Sequence, residues 1–261
     1  MKKILFSIII VFFSYPALAE IVTAEADYRH TGDISANEGC KISKQRAQLK
    51  AIEKVAGQTI SSEESEMCSE VEGQSNCERN QFFLSQFNAE ITGVKVLEEK
   101  KSMKDDYYIC KFKIEANVTP HKQINDPNFD FNINFNNYNF RTGDELKIEI
   151  SLSTPMYLNI FQVLPYENPK NYQAVRLFPN KFEKDGYIKD AKMTLPRNGK
   201  YEVYFPKNVN SQSVDEYLVF IASKNKMNFL QKYTAKEDLV RAYLGLRNVV
   251  KFKRKAYRIV K

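Results

Sequence analysis

Apolar residues recur along this chain with two periods, and the switch between them marks its organisation. The opening IVTAEADYR of residues 21–29 is compatible with a short strand, and TGDISANEGC then supplies the Gly, Asp, Ser and Asn of a loop that ends at a helix. From Lys41, KISKQRAQLKAIEKVAG places Ile42, Leu49, Ile52, Val55 and Ala56 near one side of a 3.6-period helix, with Gly57 as its stop. NQFFLSQFNAEITG predicts a second helix, with Phe83, Phe87 and Ile91 spaced four apart and Gly93 after its end. The period then becomes two. Val94 and Val96 alternate before the charged turn EKKSMKDD, and Tyr108, Cys110, Phe112, Ile114, Ala116 and Val118 alternate after it, which predicts a hairpin with one covered face.

Pro120 ends this unit, and TPHKQINDPN reads as a boundary. Phe129, Phe131, Ile133 and Phe135 then project to one side of an extended chain, as a buried or bridging strand requires. After the turn signal RTGD come ELKIEISLS, YLNIFQVL, QAVRLF, GYIKD, KMTLP, KYEVYF, DEYLVFIAS and NVVKFKRKAYRIV, separated by Gly, Pro and Asn clusters. Many short strands in succession predict an antiparallel sandwich or partly open barrel. YTAKEDLVRAYLGL interrupts them with Leu239, Tyr243 and Leu246 near one helical face, and Thr234 three positions before Glu237 suggests a capping box. The expected fold class is an α+β unit of two helices on a small antiparallel sheet, over residues 20–120, and a mainly β sandwich-like unit with a short late helix, over residues 142–261. Residues 121–141 form a linker or bridging strand between them.

Composition adds a compartment. Lys2 and Lys3 precede the apolar run Ile4 to Phe13, and Ala17-Leu18-Ala19 provides the small residues of a signal-peptidase site. Residues 1–19 therefore read as a signal peptide cleaved before Glu20, and no apolar run reaches the roughly 20 residues that cross a bilayer. The expected address is the periplasm, or an outer-membrane-associated or secreted state. In an oxidising compartment Cys40, Cys68, Cys77 and Cys110 are expected to pair. Three pairings are possible; Cys68 with Cys77 closes a short local loop across the acidic stretch QTISSEESEMCSEVEGQSNC, and Cys40 with Cys110 ties a helix start to a strand. Separations of 28, 9 and 33 do not supply the close ligand pairs of a zinc site, so no metal is expected.

Charge is divided along the chain. Residues 20–120 carry 13 basic against 18 acidic side chains, and residues 121–261 carry 24 against 14. The densest basic run is Arg247, Lys251, Lys253, Arg254, Lys255, Arg258 and Lys261. It reads either as an edge strand whose lysines keep sheets from pairing between molecules or as a contact for an anionic surface. Catalytic signatures are lacking: the sequence has no GxSxG, HExxH, phosphate-cradling glycine loop or dinucleotide fingerprint, and no cofactor is expected. The two histidines, His30 and His121, read as surface-loop imidazoles. Carboxylate chemistry depends on spatial separation, so Asp144, Glu145, Glu149, Glu167, Asp215 and Glu216 stand as candidates for a glycosidase-like pair.

Two stretches resemble known families. KQRAQLKAIEKVAGQTISS, FNAEITGVKVLEE and YYICKFKIEANVTP make residues 20–119 similar to the N-terminal domain of flagellar assembly protein T and related small lipoprotein domains. That resemblance implies a helix packed on a small sheet and a role in assembly. GDELKIEISLSTPMYLNIFQV, VRLFPN and DEYLVFIAS make residues 142 to about 223 resemble a widespread uncharacterised β domain attached to proteases or envelope modules, which carries no assigned catalytic residues. The combined expectation is a periplasmic or surface-associated accessory protein that binds an envelope protein complex or an anionic envelope surface, and not nucleic acid. A carboxylate-dependent hydrolase of wall polymer or glycan is one alternative. The other is a small-ligand module with a pocket near residues 120–142.

Overall fold

The computed structural model describes residues 19–31, 35–57, 83, 85–121, 126–164, 172–207, 209–246 and 250–261. The expected Cys68–Cys77 pairing and Arg247 lie outside them. Strand β1 (Glu20–His30) is followed by helix α1 (Ala36–Ala56) and by the hairpin β2 (Ala89–Lys104) and β3 (Tyr107–Pro120), which form a three-stranded antiparallel sheet in the order β1-β3-β2. Alternation sets the register: Ala24, Ala26, Phe112, Ile114, Ala116 and Val118 are buried on one face, and α1 covers it with Ala47, Ala51 and Ile52. Small side chains on both surfaces let the helix lie close. At the helix start the Ser35 hydroxyl accepts the Glu38 N–H at 3.2 Å, the usual relief for a first-turn donor. Cys40 and Cys110 are bonded, joining the N-terminal part of α1 to β3 across 70 residues of sequence.

On its other side α1 reaches the outer edge of β1. Arg46, Lys50 and Lys54, one helical turn apart, donate to the carbonyls of Asp27, Glu25 and Thr23 at 2.7, 3.2 and 2.6 Å. The Asp105-Asp106 turn has φ of 50° and 64°, the left-handed pair of a two-residue hairpin. The helix expected through Ile91 ends earlier than its apolar spacing implies. Phe83 and Ser85 are helical, but residues 86–88 turn and the chain is extended from Ala89, so Ile91 and Gly93 belong to β2.

The rest is a β sandwich covered on one side. Strands β4 (Phe131–Phe135), β5 (Asn139–Arg141), β6 (Glu145–Leu146), β7 (Ile148–Leu152), β8 (Met156–Val163), β9 (Ala174–Phe178), β10 (Tyr187–Ile188), β11 (Lys192–Leu195), β12 (Tyr201–Glu202), β13 (Ser213–Ser223) and β14 (Lys232–Tyr233) precede helix α2 (Lys236–Leu244) and strand β15 (Val250–Val260). One sheet runs β14-β9-β8-β13-β15-β5, with β10 also on β8; the facing sheet is β11-β7-β4. Between them lie Phe131, Ile133, Ile148, Ile150, Leu158, Ile160, Leu218, Phe220 and Ile259. The far face of the larger sheet carries a second core of Phe161, Val163, Val219, Ile221 and Phe252 under α2.

Helix α2 occupies its expected place, but its N-cap is Ala235 with no side-chain cap bond, so Thr234 and Glu237 do not form the expected box. Phe87 carries the small sheet's contact into the second core, with its ring 4.5 Å from Phe252 and 5.1 Å from Tyr243.

Removing the Cys40–Cys110 link by a double Ser substitution should lower stability in urea unfolding by about 2–4 kcal/mol, given the long loop it closes. An unchanged midpoint would show that the packing of α1 on β3 suffices alone.

Candidate functional site

The hairpin of β8 and β9 ends at Phe178-Pro179-Asn180, where proline has no N–H to continue a ladder. Asn180 folds the next residues back. Its Nδ2 donates to the Leu177 carbonyl at 2.7 Å, and its Oδ1 accepts the N–H groups of Phe182 and Glu183 at 2.8 and 3.0 Å. This turn pushes Lys181 and Phe182 outward, and Phe182 is left 71% exposed. Across from it the RNGK turn uses Gly199 at φ 79°, a conformation that favours glycine, to present Lys200. Strand β14 brings Lys232 and β9 brings Arg176. These groups line an open crevice of about 880 Å³, floored by Leu177, Pro179 and Tyr201.

Its electrostatics are one-sided. The Arg176 guanidinium is held by neutral acceptors: Phe229 O at 3.0 Å, Asn159 Oδ1 at 3.4 Å, and Gln231 Oε1 from Nε and Nη2 at 3.2 and 3.1 Å. Burial draws its pKa down, with a smaller opposing effect of Tyr233. Lys181 sits 4.7 Å from the Phe182 ring and Lys232 4.6 Å from that of Tyr172. Among the described residues no carboxylate pairs with Arg176, Lys181, Lys184, Lys200 or Lys232. Glu183 is the acidic group behind this wall. It is 8% exposed, its Oε1 accepts the Arg197 N–H at 3.1 Å, and its Oε2 has no hydrogen-bond partner among the described residues. Burial first, and the Glu183 charge second, push the Tyr201 hydroxyl far up, so it remains a neutral donor, here to Leu177 O at 3.3 Å.

The basic run of the last strand is largely committed to the fold. Strand β15 pairs with β13 along its whole length on one side and with β5 only at Arg258–Val260 on the other, so from Val250 to Tyr257 it is an edge strand, as one of the two readings expected. Lys251 and Lys253 reach Asp130 at 3.3 and 2.9 Å, and Lys253 also donates to the Phe131 carbonyl. Burial raises the Asp130 carboxyl, but the hydrogen bonds from Lys253 and the Phe131 N–H, with the lysine charges, hold it below the usual range. Lys255 donates to the Tyr138 hydroxyl at 2.9 Å, Lys261 lies 5.1 Å from the Phe205 ring, and Arg258 pairs with Asp215 at 2.9 Å. Arg254 and Lys255 line a second recess of about 500 Å³ with Asn132 and Asn134, which is where the structure has a concavity near the 120–142 junction.

The candidate carboxylates are likewise dispersed. Asp144 Oδ2 accepts the Arg141 N–H within its own turn at 2.7 Å, and Asp215 serves Arg258. Glu216 is buried with Gln162, whose amide donates to it at 2.6 Å, and with the Tyr257 hydroxyl. Glu167 lies outside the described residues. Cys40, Cys110 and Glu99 have ligand atoms close together, but the two sulfurs are bonded to each other and are not available as thiolates. No helix among the described residues is long and apolar enough to cross a membrane.

Neither histidine is a freely exposed loop imidazole: His30 is buried and His121 is half-buried. His30 is 5% exposed and stacks between Tyr28 and Tyr108; Gly39 is required beside it, because a Cβ there would lie 2.3 Å from the ring. His121 packs 4.6 Å from Tyr243, and its Nε2 and the Tyr243 hydroxyl are both buried without a hydrogen-bond partner among the described residues. The aromatic alternation of Tyr28 with His30 signals the first packing; nothing local to His121 signals the second.

Residues 139–226 match the model of a family described as Domain of unknown function (DUF4384). No curated protein and no solved structure matches the chain. The matched span runs from β5 past β13 and includes Arg176, Lys181, Phe182, Lys184 and Lys200, with Lys232 beyond it. Sequence reasoning missed the crevice because its cations come from four separate segments. The available signal was KFEK directly after FPN, an aromatic residue among charges with no strand to pack into.

Burial lowers the His121 pKa, so the folded chain keeps the ring neutral where the unfolded chain takes up a proton. The stability this represents is complete above the unfolded value of about 6.5 and is lost as pH falls from there towards the folded value. His121→Phe should therefore flatten part of the decline in Tm between about pH 7 and about pH 5; an unchanged decline assigns it to the carboxylates.

Proposed function

We propose that this chain is an exported accessory protein of the bacterial cell envelope, noncatalytic, which binds another envelope component through its β sandwich. The observation that carries the reading is the crevice beside β9, where five cationic side chains gather around an exposed phenylalanine with no carboxylate paired to them among the described residues. Concave surfaces with convergent polar groups are where proteins take ligands, and unpaired cations select an anionic one. Asp144, Asp215 and Glu216, by contrast, are spent on a turn, an ion pair and a buried network. Export is supported by the basic and apolar start with its Ala17-Leu18-Ala19 site, and by the disulfide, which belongs to an oxidising compartment. The resemblance of residues 20–119 to the flagellar assembly domain supports the assembly side of the reading, since a helix on a small sheet is what that resemblance implies.

Crosslinking in the native envelope, followed by affinity recovery with salt-graded elution, is expected to return a stoichiometric partner that leaves as salt rises. Mass measurement of the recovered chain should give a mature start at Glu20. Recovery of free monomer alone, or of a chain retaining residues 1–19, counts against the reading.

A further inference from the structure

The crevice has more character than a positive patch. A single phosphate ion would leave most of about 880 Å³ unfilled, a volume in the range of sites for organic ligands. Its cations also come from separate segments: Lys181 and Lys184 follow the Asn180 turn, Lys200 follows Gly199, and Lys232 lies on β14 with Arg176 on the neighbouring β9. Such a distribution suits charges at separate points of one body better than a single point charge. Between them is flat apolar surface, with Phe182 exposed and Pro179 and Tyr201 below. The Asn198 side chain among the lining residues adds an amide that suits a hydroxyl-bearing ligand. Arg176 is the fixed member, because four hydrogen bonds to neutral acceptors orient its guanidinium without cancelling its charge.

We propose that this crevice binds a phosphorylated sugar, its ring lying on Phe182 and its phosphates reaching Lys200 and Lys232 on one side and Lys181 on the other. The ring's C–H face supplies apolar contact to an aromatic side chain, and each phosphate supplies the carboxylate-free anion that the lysines lack. The proposal names the ligand class for the accessory reading above and rests on it only for the compartment in which such a ligand is met.

The test is calorimetric titration of the full mature chain with four probes: a deacylated bisphosphorylated glucosamine disaccharide, the same disaccharide without phosphates, inorganic pyrophosphate, and a glutamate-rich peptide. The bisphosphorylated disaccharide should bind at least about tenfold more tightly than pyrophosphate and lose affinity as salt rises. The neutral disaccharide should not bind. The double variant Lys200→Ala/Lys232→Ala should lose about tenfold or more for both phosphorylated probes while its Tm stays unchanged, since both side chains lie on the surface. Phe182→Ala should weaken the disaccharide and leave pyrophosphate as it was, a split that a loss of folding would not produce.

Vesicles bearing the acylated bisphosphorylated disaccharide separate the sources of the ligand. Cosedimentation assigns a lipid headgroup; binding of the soluble disaccharide alone assigns a free or polymeric glycan, and either result supports the shared chemistry. Absence of binding, binding indifferent to the lysine variant, equal affinity for pyrophosphate with no effect of Phe182→Ala, or tighter binding of the acidic peptide each overturns it. A crosslinked protein partner recovered from the envelope despite such a failure would leave the accessory reading standing without this ligand.

Discussion

The sandwich depends on burying β8 and β13 on both faces at once. Leu158, Ile160, Leu218 and Phe220 point into the core between the sheets, and Phe161, Val163, Val219 and Ile221 point under α2. Both strands must then be apolar almost throughout, and every polar group on them needs a partner, because an unmet hydrogen bond in such a place costs about 1–3 kcal/mol. Gln162 meets that demand by donating to Glu216 and to the Tyr257 hydroxyl, at 2.6 and 3.0 Å. Asn159 meets it through Arg176. The same constraint that closes the core therefore helps to aim the guanidinium that stands in the crevice wall. Fold and candidate site share a residue.

Much of this architecture was legible where a residue's face decides its burial. The alternation of β3 marked one covered face, which is buried from Cys110 to Val118, and YLNIFQVL and DEYLVFIAS marked strands, but not that both of their faces are covered. Legibility failed where one spacing serves two structures. Phe83, Phe87 and Ile91 sit four apart as in a helix, yet Phe83 and Phe87 are drawn into the second core while Ile91 lies in strand β2. Local pattern cannot encode that choice, since Phe252 and Tyr243, which receive Phe87, are more than 150 residues away. The crevice was illegible for the same reason, its cations being joined by the return of β14 to β9.

The basic C-terminal half divides by function in a way that charge counting hides. Alternate residues of β15 turn towards the smaller sheet, so Lys251 and Lys253 bridge to Asp130 and to the β4 backbone and help close the side of the sandwich. Removing such charges alters packing before it alters any external contact. The lysines around β9 have no comparable task. Their electrostatic potential is therefore directed outward, and the most conspicuous basic run in the sequence is not the most available one.

The small sheet has an asymmetry with a consequence for assembly. Arg46, Lys50 and Lys54 occupy the outward carbonyls of β1, whereas β2 pairs, among the described residues, with β3 alone. A sheet that can be extended from one side only is able to join a two-fold partner, after which no free side remains. Fibre growth needs a repeatable head-to-tail step. With β1 occupied by its own helix, a pairing of two copies through the β2 edge would be of the closed, two-fold kind.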